Sequence, residues 1–386
     1  MYNSIVIGAG VAGSIIAREL AERMNKNVLI LEKREHIGGN CYDEYDKHNI
    51  LIHTYGPHIF HTNKQRVYDY MSRFTKWYPY SHKVVANVYG TYFPVPFNIN
   101  SLYKVYGKKK GKELEEKLKN NYGEGAKISI LTLKQNDDKE IQKIADYIYK
   151  NVFLYYTMKQ WGQTPDEIDD SVISRVPILI SSDNRYFQDT WQGMPKDGYT
   201  KMFENILNHD QIEVQLGIDA RERLKLIDRK VYFDGKEFLG EIIYTGSVDE
   251  LFNFKYGRLP YRTLYFQFEH FDKEYVQSHG VVNYTVTQDY TRITEFKHMT
   301  GQIEKGTTIM KEYPAIYTGK EKEIPYYAIL NEKNREQYEK YHKILDSYEN
   351  VYLLGRLAEY QYYNIDAMVE KALELADRME VMEKNK

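Results

Sequence analysis

The first forty residues constrain this 386-residue chain more than any other stretch. Ser4-Ile5-Val6-Ile7 is a short apolar, β-branched run that reads as a buried parallel strand. It enters Gly8-Ala9-Gly10-Val11-Ala12-Gly13, after which Ile15, Ile16, Leu20 and Met24 recur at helical spacing. Asn27-Val28-Leu29-Ile30-Leu31 reads as a second buried strand, ending at Glu32. Strand, glycine turn, helix and strand together make a βαβ unit, the context in which Gly8-x-Gly10-x-x-Gly13 signals dinucleotide binding. Gly8 permits the tight turn, Gly10 lets the backbone approach a pyrophosphate, and Gly13 lets helix and strand pack closely. The helix start at Val11 and Ala12 offers unpaired N–H groups to phosphates, and Glu32 would take a ribose hydroxyl. A glycine-rich structural turn is the bland alternative, and the motif alone does not choose NAD over FAD.

The continuation Glu32-Lys33-Arg34-x-x-Ile37-Gly38-Gly39-Asn40 points to FAD. A second glycine pair lets the backbone pass a large cofactor, and Arg34 can meet a phosphate or an adenine. The run resembles the FAD-binding pattern of amine-oxidase-like flavoproteins.

Further along, Ser101 to Asn121 and Asp138 to Trp161 read as helices, the second with Ile141, Ile144, Ala145, Ile148 and Val152 on one face. Val84 to Phe97 reads as a hairpin around Tyr89-Gly90-Thr91, and Thr263 to Phe271, Val281 to Val286 and Tyr290 to Phe296 as antiparallel strands. The parallel pattern resumes at Ile212 to Val214, Ile242 to Gly246 and Val351 to Gly355, and Val231 to Phe238 is a hairpin turning at Asp234-Gly235. The last helix carries Ile365, Met368, Val369, Ala372, Leu373 and Ala376 on one face, with Asn364 as N-cap. The expected fold class is therefore α/β. A Rossmann-like FAD-binding domain (1–78, 203–250 and 348–386) is interrupted by a helical-bundle insert (98–172, with a mobile loop at about 168–178). An antiparallel β-sheet substrate domain (79–97, 179–202 and 251–347) completes the chain.

Composition enters as an exclusion. Lys and Arg number 53 against 55 Asp and Glu, so a net charge of −2 gives no pull toward nucleic acid. The longest weakly polar stretch, Ser4 to Ala17, is too short to span a bilayer. The single cysteine, Cys41, fits a reducing cytoplasm. The 38 tyrosines fit a wet cleft that stacks rings and binds phosphate oxygens. His53, His58 and His61 raise a metal reading, but no Cys, Asp or Glu joins them at short spacing, so no metal is expected. Arg175, Arg185 and Arg292 are candidate diphosphate clamps, because a guanidinium fork matches phosphate oxygens. Each taken singly also fits a surface ion pair.

These pieces together resemble the bacterial UDP-galactopyranose mutase family. The resemblance rests on Gly8-Ala9-Gly10 with His36-Ile37-Gly38-Gly39-Asn40, Tyr55-Gly56-Pro57-His58-Ile59-Phe60-His61-Thr62 and Lys159-Gln160-Trp161-Gly162. It continues through Gln192-Gly193-Met194-Pro195, Tyr290-Thr291-Arg292-Ile293-Thr294-Glu295, Ile324-Pro325-Tyr326-Tyr327 and Gly355-Arg356-Leu357. What it implies is interconversion of UDP-galactopyranose and UDP-galactofuranose for galactofuranose-containing cell-surface glycans. That is an isomerase reaction with no net redox change, through a flavin N5–sugar adduct on reduced FAD. It also implies a reductant such as NAD(P)H and a cytoplasmic homodimer. Arg175 and Arg292 would meet the diphosphate, helped by Tyr186, Tyr326 and Tyr362. Phe153, Tyr156, Thr157 and Trp161 would hold the uridine and shape the sugar end, with His82 and Asn364 at the substrate. His58, Ile59 and His61 would lie near the flavin ring. Arg356 and the start of the last helix, with Tyr362, Asn364 and Ile365, would face it, and Gly246 and Lys33 would also contact the cofactor. Two positions depart from the commoner pattern: Asn364 stands where many members have Asp, and His82 where some have Asn. The competing readings are an amine-oxidase-like or NAD(P)H-linked flavoprotein performing net oxidation, and a silent flavin-binding protein.

Overall fold

A computed structural model of the chain describes residues 2–162 and 177–385. The predicted βαβ unit forms as strand Ser4–Ile7, helix Val11–Met24 and strand Val28–Leu31. It seeds a five-stranded parallel sheet in the order Ile212–Gln215, Val28–Leu31, Ser4–Ile7, Glu241–Tyr244, Val351–Leu353. The three central strands are apolar on both faces because helices or loops cover both. Ile15, Ile16 and Leu20 meet Val369, Leu373 and Ala376 of the last helix, Ile365–Lys384, on one side. Leu29, Leu31 and Ile242 pack with Leu224, Tyr261 and Tyr341 on the other.

The second sheet has seven strands in the order Tyr327–Ala328, Tyr261–Phe271, Thr307–Ile316, Arg292–Glu295, Val281–Tyr284, Val84–Val88, Thr91–Val95. The Tyr89-Gly90 turn joins the last two with both residues at positive φ, as a tight hairpin requires. Three details differ from the expected antiparallel sheet. Val281–Tyr284 pairs parallel to Val84–Val88, since a long excursion separates them in sequence. Thr307–Ile316, absent from the predicted strands, pairs with Tyr261–Phe271 over ten registered positions. Arg292, expected mid-strand, opens its strand, and the strand is the shorter run Arg292–Glu295. In addition, Trp191–Pro195 lies outside this sheet: it pairs with Phe60–Thr62 and Trp77–Tyr78.

The helical segment holds Ile99–Tyr122, kinked at Gly107, then Ile130–Lys134 and Lys139–Ile148. The predicted long amphipathic helix continues through a π-helical stretch, Tyr149–Leu154, into Tyr155–Trp161. Insertions of this kind rotate the residues that follow and recur at functional sites. Arg262 closes the end of this helix, its Nε donating to the Gln160 carbonyl at 2.9 Å and Nη2 to that of Lys159 at 3.1 Å. The mobile loop expected at about 168–178 and Arg175 within it lie outside the described residues, apart from 177 and 178.

Candidate functional site

Two chambers open on the same cleft. The first, about 660 Å³, is built from backbone. Gly8 sits at φ +104°, and a Cβ on Gly13 would lie 1.9 Å from the Gly8 carbonyl oxygen, so the helix touches the strand end where only hydrogen fits. The second glycine pair folds back onto the first: the Gly38 N–H donates to the Ala9 carbonyl at 2.8 Å, and a Cβ on Gly39 would meet Gly10 Cα at 2.9 Å. Glu32 ends the second strand and ties the turns together, accepting from the Ala9 N–H at 2.7 Å and the Arg34 N–H at 2.9 Å. Arg34 stacks on Tyr55 at 4.5 Å and donates to Asn40 Oδ1 at 2.8 Å, while its buried Nη1 has no partner among the described residues.

Gly8, Gly10, Val11, Ala12, Glu32, Lys33, Arg34, Gly39, Asn40, His58, Gly246, Arg356, Asn364 and Ile365 all line this chamber. Gly13 does not, because its part is the close contact beneath the turn, and Ile59 and Tyr362 line the second chamber instead. Sequence reasoning missed Asp219, Arg221, Thr245 and Lys322 to Pro325, which reach this wall from distant segments. The dimensions suit a dinucleotide. An unpartnered buried guanidinium nitrogen and a glycine-lined wall suit its phosphates and adenine.

The second chamber, about 500 Å³, is built from side chains. His58, Ile59, His61, His82, Phe153, Tyr156, Thr157, Tyr186, Arg292, Tyr326, Tyr362 and Asn364 line it, so most of the residues predicted for substrate are brought together. Arg175 lies outside the described residues, as does the side chain of Trp161. Arg185 does not line the cavity: Asp183 holds it in a two-point ion pair, with Nη2 to Oδ2 at 2.7 Å. Asn364 is at the N-cap position of the last helix, but its side chain makes no capping bond and the residue lines both chambers. Sequence reasoning missed Phe187, Asp189, Asn283, Tyr327 and, behind the wall, Glu312. Tyr327 was within reach, being the neighbour of Tyr326 in a motif already singled out.

Charge is concentrated at Arg292. Its Nε donates to Glu312 Oε2 at 2.7 Å, and the Glu312 side chain is 0% exposed. Burial opposes the guanidinium charge, but the Glu312 carboxylate outweighs it and holds Arg292 protonated well above its ordinary range. Around it His58 and His82 are kept neutral. His58 is pushed down to about 3 by burial and by the charge of Arg356, and its Nδ1 lies 2.9 Å from the Gly56 carbonyl. His82 is pushed down to about 3 by burial and by Arg292, its Nδ1 2.9 Å from the Tyr80 hydroxyl. His53, wholly buried, accepts from the His58 N–H and so sits behind the wall rather than in a metal cluster. No group of His, Cys, Asp and Glu among the described residues could hold a metal ion.

Tyr55, His58, Arg356, Asn364 and Ile365 line both chambers, so the two form one continuous cleft with His58 and Arg356 at the junction. Arg356 is held there by its Nε–H bond to the Tyr363 carbonyl and stacks on Tyr362 at 4.6 Å. This is the layout of a Rossmann-type nucleotide-binding protein whose second sheet brings a cationic site to one end of the cofactor groove. Known proteins narrow that class. An NAD(P)-binding Rossmann-like domain matches residues 6–74, and the UDP-galactopyranose mutase family matches residues 151–362. The UDP-galactopyranose mutase of Mycoplasma genitalium is 36% identical over 98% of this chain and 95% of its own. The dTDP-fucopyranose mutase of Escherichia coli is 34% identical over 97% of this chain and 98% of its own. A crystal structure of reduced UDP-galactopyranose mutase superimposes with a TM-score of 0.73 at 17% identity, covering 99% of this chain and 94% of that one. A putrescine oxidase shares the fold at a TM-score of 0.58. The chain belongs to the UDP-galactopyranose mutase family.

Proposed function

We propose that this chain interconverts UDP-galactopyranose and UDP-galactofuranose using reduced FAD in the glycine-lined chamber. The observation that carries the reading is the Arg292–Glu312 pair, a preorganised cation in the chamber that meets the cofactor groove at His58 and Arg356. Reduced flavin, when bound, supplies the electron-rich ring on which the family's ring contraction depends. The protein's own residues do the rest. Arg292 faces a departing diphosphate with its charge already in place, so no reorganisation is needed as negative charge develops. Tyr156, Tyr186, Tyr326 and Tyr362 line the same chamber and offer hydroxyls, and Arg175 joins them on the family resemblance. His58 and Arg356 sit where the sugar end of the substrate would meet the flavin ring, and the neutral state of His58 avoids a second cation beside Arg356. Asn364 offers hydrogen bonds without the charge of an aspartate. A family member named for dTDP-fucopyranose makes the choice of nucleotide and sugar a point to test directly.

The protein, reduced with dithionite, is incubated with UDP-galactofuranose and, in parallel, with the dTDP-fucofuranose analogue, and the products are separated by chromatography. Conversion of the first in preference to the second is expected, with none by the air-oxidised protein. Preferred turnover of the thymidine sugar, or activity without reduction, contradicts the proposal. Purified protein should release FAD on heating, and NADH or NADPH should replace dithionite. The buried, unpaired Cys41 agrees with a reducing cytoplasm.

A further inference from the structure

Ring contraction exchanges two oxygens on the anomeric carbon. The C1–O5 bond breaks with its electron pair going to O5, which gains a proton, and a new O4–C1 bond forms as the C4 hydroxyl loses one. Nothing is oxidised or reduced, but a proton must travel from one sugar oxygen to the other. Three histidines line the chamber, and their partners differ. His58 faces its own Gly56 carbonyl and two arginines, and His82 faces the Tyr80 hydroxyl and Arg292. Neither has an anion to support a positive ring. His61 has one: its Nδ1 lies 3.1 Å from Asp189 Oδ2.

The pairing is built rather than incidental. Strand Phe60–Thr62 registers against Trp191–Pro195 with His61 opposite Gln192, which brings Asp189 beside the imidazole across 128 residues of sequence. Asp189 Oδ1 accepts from Asn63 Nδ2 at 2.7 Å, and Asn63 Oδ1 accepts in turn from the Thr190 N–H at 2.9 Å, so the carboxylate is held from both sides. Phe187 stacks flat on the His61 ring at 3.6 Å and 12°, fixing its plane. Because a carboxylate accepts only, the Nδ1 of His61 must carry a hydrogen, and in the neutral ring Nε2 is then the bare nitrogen. Nε2 has no hydrogen-bond partner among the described residues, in a ring that lines the chamber.

We propose that Asp189 is a positioning residue that locks His61 as the Nδ1–H form and makes its Nε2 the proton carrier of the ring contraction. Nε2, bare at rest, accepts the proton of the C4 hydroxyl and passes it to O5 as the C1–O5 bond breaks and O4 bonds to C1, while Asp189 supports the imidazolium between. This rests on the proposed mutase reaction. The test is Asp189→Asn, whose amide can donate to Nδ1 and so favours the wrong tautomer. The flavin-loaded variant should lose roughly 100-fold or more in kcat, within the range of acid–base catalysis. Its dissociation constant for UDP, which lacks the sugar, should stay within about twofold, and Asp189→Glu should recover much of the rate. A kcat within about threefold of the parent, or an equal loss of UDP affinity, overturns the idea. Long-range proton–nitrogen NMR of the unaltered holoprotein, with His61→Gln to assign the signals, provides a second reading that does not depend on the variant folding. Hydrogen on Nδ1 is expected, and hydrogen on Nε2 overturns the proposal. Absence of turnover by the unaltered protein sinks the mutase reading itself, and with it the proton carrier, whatever the tautomer.

Discussion

The two chambers are made of different materials. The cofactor chamber is made of backbone: two glycine turns that touch each other, with Glu32 tying them by two N–H bonds. The substrate chamber is made of side chains from the helical segment, the seven-stranded sheet and the 177–195 region, held by a buried ion pair and a histidine–carboxylate pair. Backbone sites should fail by steric exclusion, all at once. Side-chain sites should lose one interaction at a time and leave the fold standing.

Gly13→Ala should therefore have the largest effect of any single methyl added to the chain. Its Cβ would lie 1.9 Å from the Gly8 oxygen and 3.0 Å from Gly8 C, both backbone atoms that cannot turn away. Overpacking of this kind costs about 1–3 kcal/mol, and thermal unfolding with flavin content should show both stability and cofactor lost together. Gly10→Ala is the contrast, since its Cβ meets Gly39 Cα at an ordinary 3.7 Å. If Gly10→Ala destabilises the unloaded protein as much as Gly13→Ala, the chamber is not limited by the backbone contact described.

Arg292→Ala comes next and belongs to the other material. Loss of a preorganised charge facing a developing anion costs about 10²–10³ in kcat/KM. Flavin content should change little, while the buried Glu312 carboxylate left without its partner should lower the unfolding temperature. Arg175→Ala should act on kcat/KM in the same direction, and the exposed Lys109→Ala should leave it unchanged. Glu312→Gln should be milder, about tenfold, because the amide oxygen still accepts from Arg292 Nε while the balancing charge is gone. A Glu312→Gln variant with full activity would mean that Arg292 is placed without its carboxylate.

The same contrast governs what could be read in the sequence. Gly8, Gly10, Gly13, Glu32 and Gly39 sit within about thirty residues, and each has a steric or hydrogen-bonding reason that spacing alone exposes. Glu312 and Asp189 have no such local signature. Thr307–Ile316 escaped notice because Lys311, Glu312 and Pro314 interrupt the apolar alternation that marks a strand, and Glu312 is buried only because Arg292 lies across the sheet from it. The His61–Asp189 pair likewise exists only once Phe60–Thr62 registers against Trp191–Pro195. Family resemblance reached Arg292, Tyr326 and His82 without this topology, but it does not say what holds them.

The smallest expected effect is on stability against pH, and it separates the chambers without touching the reaction. His82 is 4% exposed and is pushed down to about 3 by burial and by Arg292, and His53, 0% exposed, is lowered by burial. An unfolded chain protonates these rings as pH falls below about 6.5, whereas the folded chain keeps His82 neutral to about pH 3 and holds His53 below its ordinary value. The unfolded state therefore binds more protons, and the stability these neutral rings permit is present above pH 6.5 and lost progressively toward pH 3. Each buried histidine contributes at most about 1.4 kcal/mol per pH unit in that window. Urea unfolding of the flavin-loaded protein at pH 7, 6 and 5 should show the midpoint falling. In His82→Gln, which keeps a partner for the Tyr80 hydroxyl but cannot titrate, the fall should be shallower by up to that amount. Gly10→Ala alters no titrating group, and its slope should match the parent. An unchanged slope in His82→Gln would mean that the ring is already charged in the folded protein, against the burial and the arginine that keep it neutral here.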